Sequence, residues 1–400
     1  MSLRELLGGD AFLAERCVRC GFCNSVCPTS LVRSAYRPSR TSRGRIVLIQ
    51  SALDGHLEEV FDEELAELMD LCFGCNRCVK VCPAGIPIPD VIRGYRHAYH
   101  KAVGVRREEA LALIYHRYAP LLSRLPRPLL GALAKRPGRV LLEWAIGTSR
   151  DAPLPLPEGG SLDDLLRGLR RDRGAVRFAL FADTFYRYVR PSSAFRVVEL
   201  LSRNGFSVSL PPQTDSGVLL YEHGFLDELK EVAATNVRSL AERVREGERV
   251  LTCSPASTMI LRSVYPKVLG TREAESVAES VVDVNELLLE LAESRPGSLA
   301  PRAEEVVLHS SCLSQFLGLT EKIARALRAA GATVREVRGE CCGMGGVWGM
   351  FARNRAEAVE LCRRLTAGLR QPLVTYSETC FLQIRSVYAG TVLQSFEALG

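Results

Sequence analysis

The chain has 400 residues, of which 47% are hydrophobic and 24% charged, a composition that supports two or three folded domains with sizeable cores. Its net charge of +6 comes from 52 basic and 46 acidic residues without a long basic run, so nucleic-acid binding is not expected. No apolar run reaches the roughly 18 residues that span a bilayer. Fourteen cysteines and no secretory leader indicate a cytoplasmic protein whose thiols stay reduced.

Two cysteine motifs of identical spacing lie near the start of the chain, CVRCGFCNSVCP from Cys17 and CFGCNRCVKVCP from Cys72. In each motif three thiolates at i, i+3 and i+6 suit a turn around one 4Fe-4S cluster. The fourth cysteine precedes a proline, and in paired motifs of this kind it binds the other cluster. The sequence therefore predicts two 4Fe-4S clusters, one bound by Cys17, Cys20, Cys23 and Cys82, the other by Cys72, Cys75, Cys78 and Cys27. Structural zinc is the alternative, but zinc ribbons need two CxxC pairs per metal and do not explain the prolines.

We predict a helical ferredoxin domain over residues 1–110. Within it, LEEVFDEELAELMDLC favours one core-facing helix that leads into Cys72. Its apolar stripe consists of Leu57, Val60, Phe61, Leu65, Leu68 and Met69. A proline- and glycine-rich helical linker is predicted over residues 111–174. Its segment LLSRLPRPLLGALAKRP suits the interface of a bilayer, or an amphipathic linker that packs on its own protein.

Beyond the linker, strands and helices alternate, and the whole alternation occurs twice, over residues 175–298 and 299–400. Such alternation predicts two tandem α/β units with parallel sheets, so the expected fold class is α+β and multi-domain. Alignment of the two units gives five matched pairs: Thr184 with Cys312, Asp215 with Cys341, Ser216 with Cys342, Ser254 with Ser377, and Ser257 with Cys380.

The second unit keeps four cysteines that the first has lost: Cys312, Cys341, Cys342 and Cys380. Each follows a predicted strand, and the carboxyl ends of parallel strands meet at one edge of a sheet. Four soft ligands favour an iron-sulfur cluster or zinc over a hard cation, and the nearby glycines let the backbone approach a bulky group. The sequence predicts a third iron-sulfur cluster at this edge, with a zinc ion or an empty thiol cluster as alternatives.

Taken together, the motifs resemble the cysteine-rich CCG-domain family of iron-sulfur subunits over nearly the whole chain. The resemblance rests on the twin CxxCxxCxxxCP motifs, SRGRI at Ser42–Ile46, FADTF at Phe181–Phe185, and GECCGMGG followed by SETC. The family includes the iron-sulfur subunits of glycolate oxidase, D-lactate dehydrogenase and anaerobic glycerol-3-phosphate dehydrogenase, and also heterodisulfide reductase. It implies that the two α/β units are CCG repeats and that the first is degenerate, since it reads DSG and SPAS where the family carries CCG and CxxC.

The resemblance implies an oxidoreductase subunit that transfers electrons and has no catalytic residue of its own. Electrons would come from FAD on a partner dehydrogenase subunit that oxidises a 2-hydroxy acid or glycerol-3-phosphate, and would pass towards quinone or another acceptor. SRGRI favours the hydroxy-acid members. A quinone or membrane partner would place the chain at the inner face of the cell membrane. The alternative is cleavage of a disulfide at the third cluster, as in heterodisulfide reductases, and the lost ligands of the first repeat argue against it.

Overall fold

The structure is a computed structural model that describes residues 2–32, 37–107, 109–110, 112–113, 115, 120–121, 123–125, 127–167 and 176–400. Its described N-terminal region contains only helices, and two four-stranded parallel sheets follow. The predicted α+β class is therefore confirmed. Parts of the predicted linker, including 116–119 and 168–174, lie outside the described residues. None of the described helices is both long and apolar enough for a membrane span.

One hydrophobic core is formed by residues 3–99, with Ile46, Ile49, Met69 and Tyr95 fully buried in it. The described helices up to the first sheet are Leu3–Leu7, Gly9–Glu15, Pro28–Leu31, Ser42–Leu53, Glu63–Asp70, Arg77–Val81, Ile88–Ala102, Arg127–Ala134, Arg136–Ile146 and Leu162–Arg167. Short 3-10 turns lie at Phe22–Val26 and Pro38–Arg40.

The helix that leads to Cys72 is shorter than predicted. It spans Glu63–Asp70, because Asp62 caps it by accepting a hydrogen bond from the Leu65 backbone nitrogen at 2.6 Å. The apolar residues before the cap, Leu57, Val60 and Phe61, precede the helix and still pack against the same core.

Each α/β unit builds one parallel sheet. The first contains β1 (Val176–Phe181), β2 (Phe206–Ser209), β3 (Arg249–Thr252) and β4 (Val281–Asp283) in the order β2-β1-β3-β4. The second contains β5 (Glu305–His309), β6 (Thr333–Val337), β7 (Leu373–Thr375) and β8 (Val392–Gln394) in the order β6-β5-β7-β8. The sequence predicted three strands in each unit and missed β4 and β8, the last strand of each. Parallel pairing defines both strands: β4 pairs with β3, where Leu251 lies opposite Val282, and β8 pairs with β7.

Helices cover both sheets, and a shared core joins the two units where helices Val284–Ser294 and Leu319–Ala329 pack together. The other helices of the units are Pro191–Arg203, Val218–His223, Leu226–Arg245, Pro255–Met259, Tyr265–Leu269, Arg272–Ser280, Cys312–Phe316, Arg355–Thr366 and Glu378–Val387. Single turns of 3-10 or π helix lie at Phe185–Val189, Ile260–Val264, Trp348–Met350, Ala352–Asn354 and Ser395–Glu397.

Ion pairs attach the N-terminal region to both units. Arg93 is buried and pairs with Glu222 of the first unit at 2.7 Å, and Arg40 pairs with Glu357 of the second at 2.6 Å. Desolvated pairs of this kind fix geometry more reliably than they add stability. They join the N-terminal region to one helix of each unit, Val218–His223 and Arg355–Thr366.

Candidate metal centres

Both cysteine motifs adopt the same backbone turn. Arg19 and Gly74 occupy equivalent positions with φ of 58° and 62°, and Gly21 and Asn76 follow two residues later with φ of 87° and 56°. These left-handed residues curl each motif into a loop. The loop ends in a helical turn, Phe22–Val26 or Arg77–Val81, immediately before the fourth cysteine.

The second set of thiols surrounds one cavity, lined by Cys27, Cys72, Cys75 and Cys78. Cys27 belongs to the first motif, so the structure brings together all four residues that the crossed arrangement predicts for one cluster. Burial raises the pKa of Cys78, and the neighbouring thiols of Cys72 and Cys27 add to the shift. Crowded thiolates repel one another unless they bind a cation, so this donor set fits a 4Fe-4S group.

The first set of thiols is more open. Cys20 is exposed, Cys17 half-buried and Cys23 buried. Burial and the nearby thiol of Cys17 raise the pKa of Cys23 to about 11. The predicted fourth ligand, Cys82, is half-buried and its Sγ accepts a hydrogen bond from the Ile86 backbone at 3.3 Å. Among the described residues no hydrogen bond joins Cys82 Sγ to the other three thiols, so its role stays a prediction.

Arg45, from the SRGRI stretch, is the charged neighbour of Cys27. It is 1% exposed, and its guanidinium donates to Cys27 Sγ at 3.3 Å and to the Arg40 carbonyl at 2.8 Å. Gly44 allows this fit, because a Cβ there would lie 2.0 Å from the Pro38 carbonyl oxygen. Among the described residues no carboxylate pairs with Arg45. A buried charge needs a counter-charge, and thiolates supply it here.

The same contacts explain the acidity of Cys27. Burial alone would raise the pKa of this thiol, but Arg45 and hydrogen bonds with Ser42 and Thr29 lower it to about 6. The lowered pKa favours the thiolate form of Cys27, which is the form that binds metal. The sequence identified SRGRI only as a family marker. The contact between Arg45 of this stretch and Cys27 could not be predicted, because only the fold brings Arg45 to a cysteine 18 residues earlier.

The third set of thiols lies at the carboxyl ends of β5, β6 and β7. Cys312 begins the helix after β5, Cys341 and Cys342 lie in the loop after β6, and Cys380 lies in the helix after β7. Cys342 Sγ and Cys380 Sγ are 3.2 Å apart. A hydrogen bond with Cys342 and burial raise the pKa of Cys341, and Cys341 in turn adds to the raised pKa of Cys312. The structure thus brings the four predicted cysteines into one group.

Gly343 shapes the loop that carries the adjacent cysteine pair. Its φ is 83°, and a Cβ there would lie 2.2 Å from the Ala358 carbonyl oxygen, so only glycine fits. Its backbone nitrogen donates to Cys341 Sγ at 3.4 Å. The loop therefore bends directly after the cysteine pair.

Arg77 lies between the second and third thiol sets. It belongs to the second motif, is 8% exposed, and donates to the carbonyls of Gly339 at 2.9 Å and Glu340 at 2.7 Å. Burial raises the pKa of Cys75, and the Cys312 thiol makes the next contribution. The two thiol sets therefore face each other across this guanidinium. In the sequence Arg77 is only a spacer residue of the motif.

The matching edge of the first sheet holds oxygen donors instead of thiols. Ser216 and Ser257 both donate to Asp183 Oδ2, at 2.6 and 2.7 Å. Burial and the neighbouring Asp183 raise the pKa of Asp215, and burial raises the pKa of Glu378, which reaches in from the second unit, to about 7. These hard donors differ in kind from the thiolates of the second unit.

Two further cysteines, Cys253 and Cys362, are buried among apolar residues, as expected of small hydrophobic side chains. Within the described ranges, no three His, Cys, Asp or Glu side chains are placed to hold one metal ion. A 4Fe-4S cluster makes a different demand, because its four thiolates bind an extended group rather than a single ion.

Comparison with known proteins defines the class. The family model of the 4Fe-4S dicluster domain matches residues 13–86, which contain both cysteine motifs. Residues 13–86 thus match a 4Fe-4S dicluster domain, and the iron-sulfur electron-transfer role expected from the sequence fits this match.

The chain is similar to a subunit of anaerobic glycerol-3-phosphate dehydrogenase of Escherichia coli (strain K12), with 26% identity over 386 residues that cover 92% of this chain and 93% of the relative. The glycolate oxidase iron-sulfur subunit of the same strain is 23% identical over 397 residues, 95% of this chain and 91% of the relative. D-2-hydroxyglutarate dehydrogenase of that strain is 25% identical over 313 residues, 75% of this chain but 30% of the relative. These relatives confirm the resemblance and do not favour the disulfide-cleaving alternative.

Proposed function

We propose that the chain is the electron-transfer subunit of a flavin-dependent dehydrogenase. Its partner carries FAD and oxidises a 2-hydroxy acid of the glycolate or D-lactate type, or glycerol-3-phosphate. Two of the relatives are subunits of enzymes named for such oxidations. The third is a complete dehydrogenase in which the similar region is only 30% of the length. The remainder of that dehydrogenase corresponds, in this proposal, to the partner.

Three cysteine sets are proposed to hold the electron carriers. The first two 4Fe-4S clusters would use the crossed sets of the dicluster domain, Cys17, Cys20, Cys23 and Cys82 for one, Cys72, Cys75, Cys78 and Cys27 for the other. The third, at the CCG site of the second repeat, would use Cys312, Cys341, Cys342 and Cys380. Such clusters move single electrons, so a two-electron donor is oxidised in two steps.

One observation carries the proposal of a continuous path: helix Arg77–Val81 of the second motif packs against helix Cys312–Phe316, and Arg77 donates to the carbonyls of Gly339 and Glu340. The dicluster domain and the second α/β unit therefore meet at their thiols. Buried Arg45 and Arg77 would offset the negative charge that thiolates bring to each site. Oxygen ligands at the first sheet supply no comparable site, so the path leads to the second unit alone.

The first prediction separates an electron-transfer subunit from a self-sufficient enzyme. The anaerobically purified chain should reduce no dye with glycolate, D-lactate or glycerol-3-phosphate, because the oxidation belongs to the partner. Adding the FAD-containing partner should give substrate-dependent reduction of the same dye. Dithionite, which reduces iron-sulfur clusters directly, is the control that the chain is loaded. Substrate oxidation by the chain alone would contradict the proposal.

We further propose that the linker touches the membrane at the inner face of the cell membrane. Helices Arg127–Ala134 and Arg136–Ile146 expose Leu129, Leu141 and Trp144, the last with 74% of its surface exposed. Lys135 and Arg136, which are also exposed, lie between these apolar residues. Apolar and aromatic residues next to basic ones are typical of an interfacial segment near anionic lipid. The competing interpretation, a linker packed on its own protein, accounts for the buried Leu130 but not for these exposed residues.

The second prediction uses the two tryptophans of the chain, since Trp144 is exposed and Trp348 is buried. Vesicles containing anionic lipid should shift the emission of Trp144 to shorter wavelength and carry the protein upward in flotation. Trp144→Phe should abolish the spectral shift while leaving flotation largely intact. Leu129→Glu with Leu141→Glu should abolish both. Unchanged emission together with no flotation of the wild-type chain would favour the packed linker.

A further inference from the structure

The two cysteine motifs adopt the same backbone turn, so the residues at matching positions of the two motifs can be compared one by one. Val18 is equivalent to Phe73, and Phe22 is equivalent to Arg77. The left-handed positions match as well, Arg19 with Gly74. Differences between the motifs therefore reflect what each one faces.

The outer face of the second motif is covered by the α/β units. A Cβ at Gly74 would lie 1.7 Å from a carboxylate oxygen of Glu222, so the turn touches the first unit directly. The ring of Phe73 lies 4.6 Å from that of Trp348. Arg77 reaches the loop of the third thiol set through its bonds to the Gly339 and Glu340 carbonyls. This face is thus the contact through which the second thiol set meets the third.

The outer face of the first motif is bare. Val18 is 68% exposed and Phe22 is 62% exposed, and Phe12, on the helix that leads into the motif, is 63% exposed. Cys20, in the same motif, is exposed as well. Single exposed apolar residues are ordinary, but three within one segment around a redox site indicate an interaction surface.

Basic residues border the bare surface. Arg16 lies over the ring of Phe12 at 5.9 Å, Arg19 is exposed in the motif itself, and Arg43 lies next to the turn at Gly21. Within the described part of the chain none of the three arginines forms an ion pair. The adjacent acid, Glu15, is neutralised by Arg4 at 2.6 Å. The border is therefore positive and is complementary to an acidic face.

We propose that the FAD-containing partner docks on the first motif, with apolar contacts on Phe12, Val18 and Phe22 and acidic residues opposite Arg16, Arg19 and Arg43. The inference rests on the proposed function and adds its direction: electrons enter at the first thiol set, pass to the second, and reach the third across the covered face. Each reduced flavin releases two electrons and two protons. The electrons cross this surface singly, and a terminal two-electron acceptor of the quinone class takes up both with two protons.

The test uses the full chain, affinity-tagged and purified anaerobically with its partner from its own cells. FAD and iron per chain are measured for the wild type and for Val18→Glu combined with Phe22→Glu. We expect the variant to lose at least about tenfold in bound FAD with iron unchanged, since two charges in an apolar contact cost well over about 1.4 kcal/mol. Substrate-dependent bleaching should fall in parallel while reduction by dithionite stays normal.

Two further variants keep the test decisive. Arg43→Glu lies outside the cysteine motif and should weaken FAD retention in a salt-dependent way even if the first pair disturbs the thiols. Val103→Glu with Val105→Glu changes exposed apolar residues outside both proposed surfaces and should retain FAD. Full FAD retention by Val18→Glu/Phe22→Glu and by Arg43→Glu, with full iron, would overturn the docking surface alone. A wild-type chain that carries no FAD at low salt would overturn the proposed function and the docking surface together.

Discussion

Cys27→Ala should remove about four irons from the chain, although Cys27 lies 45 residues before the motif whose cluster it helps to hold. The cavity lined by Cys27, Cys72, Cys75 and Cys78 is the reason, because the second motif alone supplies only three of these thiols. The first thiol set should keep its iron. Iron per chain and the electron paramagnetic resonance of the reduced protein measure both outcomes.

The same substitution should also destabilise the fold. It leaves the guanidinium of Arg45 buried without its thiolate, and removal of one partner from a buried charge pair costs about 3–5 kcal/mol. Adding Arg45→Met should raise the unfolding temperature again without restoring iron, which separates the charge effect from cluster loss. Cys362→Ala, a buried cysteine outside the three sets, is the matched control and should keep all its iron. Full iron in Cys27→Ala would show that the crossed arrangement is wrong.

Cys341→Ser should reduce the iron content from about twelve to about eight atoms per chain and leave the dicluster domain loaded. Cys341 contacts Cys342, and Cys342 lies 3.2 Å from Cys380, so one substitution disrupts a compact group. Reduction of the chain by its donor should persist, whereas transfer to the final acceptor should stop. Iron, zinc and acceptor reduction are measured on the same anaerobic preparation.

The first α/β unit provides the control for this experiment. Asp215→Asn and Ser216→Ala occupy the positions that match the cysteine pair, and neither should change the metal content, because oxygen donors surround them. Zinc in the wild-type protein, with iron unchanged in Cys341→Ser, would give the third set a structural role instead of a redox role.

Sequence reasoning predicted the architecture well where the signal is periodic or repeated. Alternating strands and helices gave two parallel sheets, and strand ends placed Cys312, Cys341, Cys342 and Cys380 in one group. The repeated spacing of the two motifs likewise predicted that Cys27 joins the thiols of the second motif. Spacing and strand order restrict where these side chains can lie, while their binding of clusters stays a prediction.

The residues that escaped prediction act across long sequence distances. Arg45 and Arg77 are single arginines in an arginine-rich chain, and only tertiary packing places them beside thiols. Alignment of the units matched Thr184 with Cys312, whereas the neighbouring Asp183 is the centre of the hydrogen-bonded network. Glu378 was missed because it enters that network from the other unit. A side chain that completes a site in a different unit leaves no local pattern.

The network at Asp183 contains hydroxyls and carboxylates in place of thiolates, and this restricts the proposed route of electron transfer through the molecule. In the proposed path only the second α/β unit carries electrons, so the three thiol sets would lie in series without a branch. Along such a path the slowest transfer step sets the overall rate, and no parallel route can compensate for a defective step. Damage at the Cys75–Cys312 junction would therefore halt turnover as completely as damage at the entry point, while electrons would accumulate on the side facing the donor.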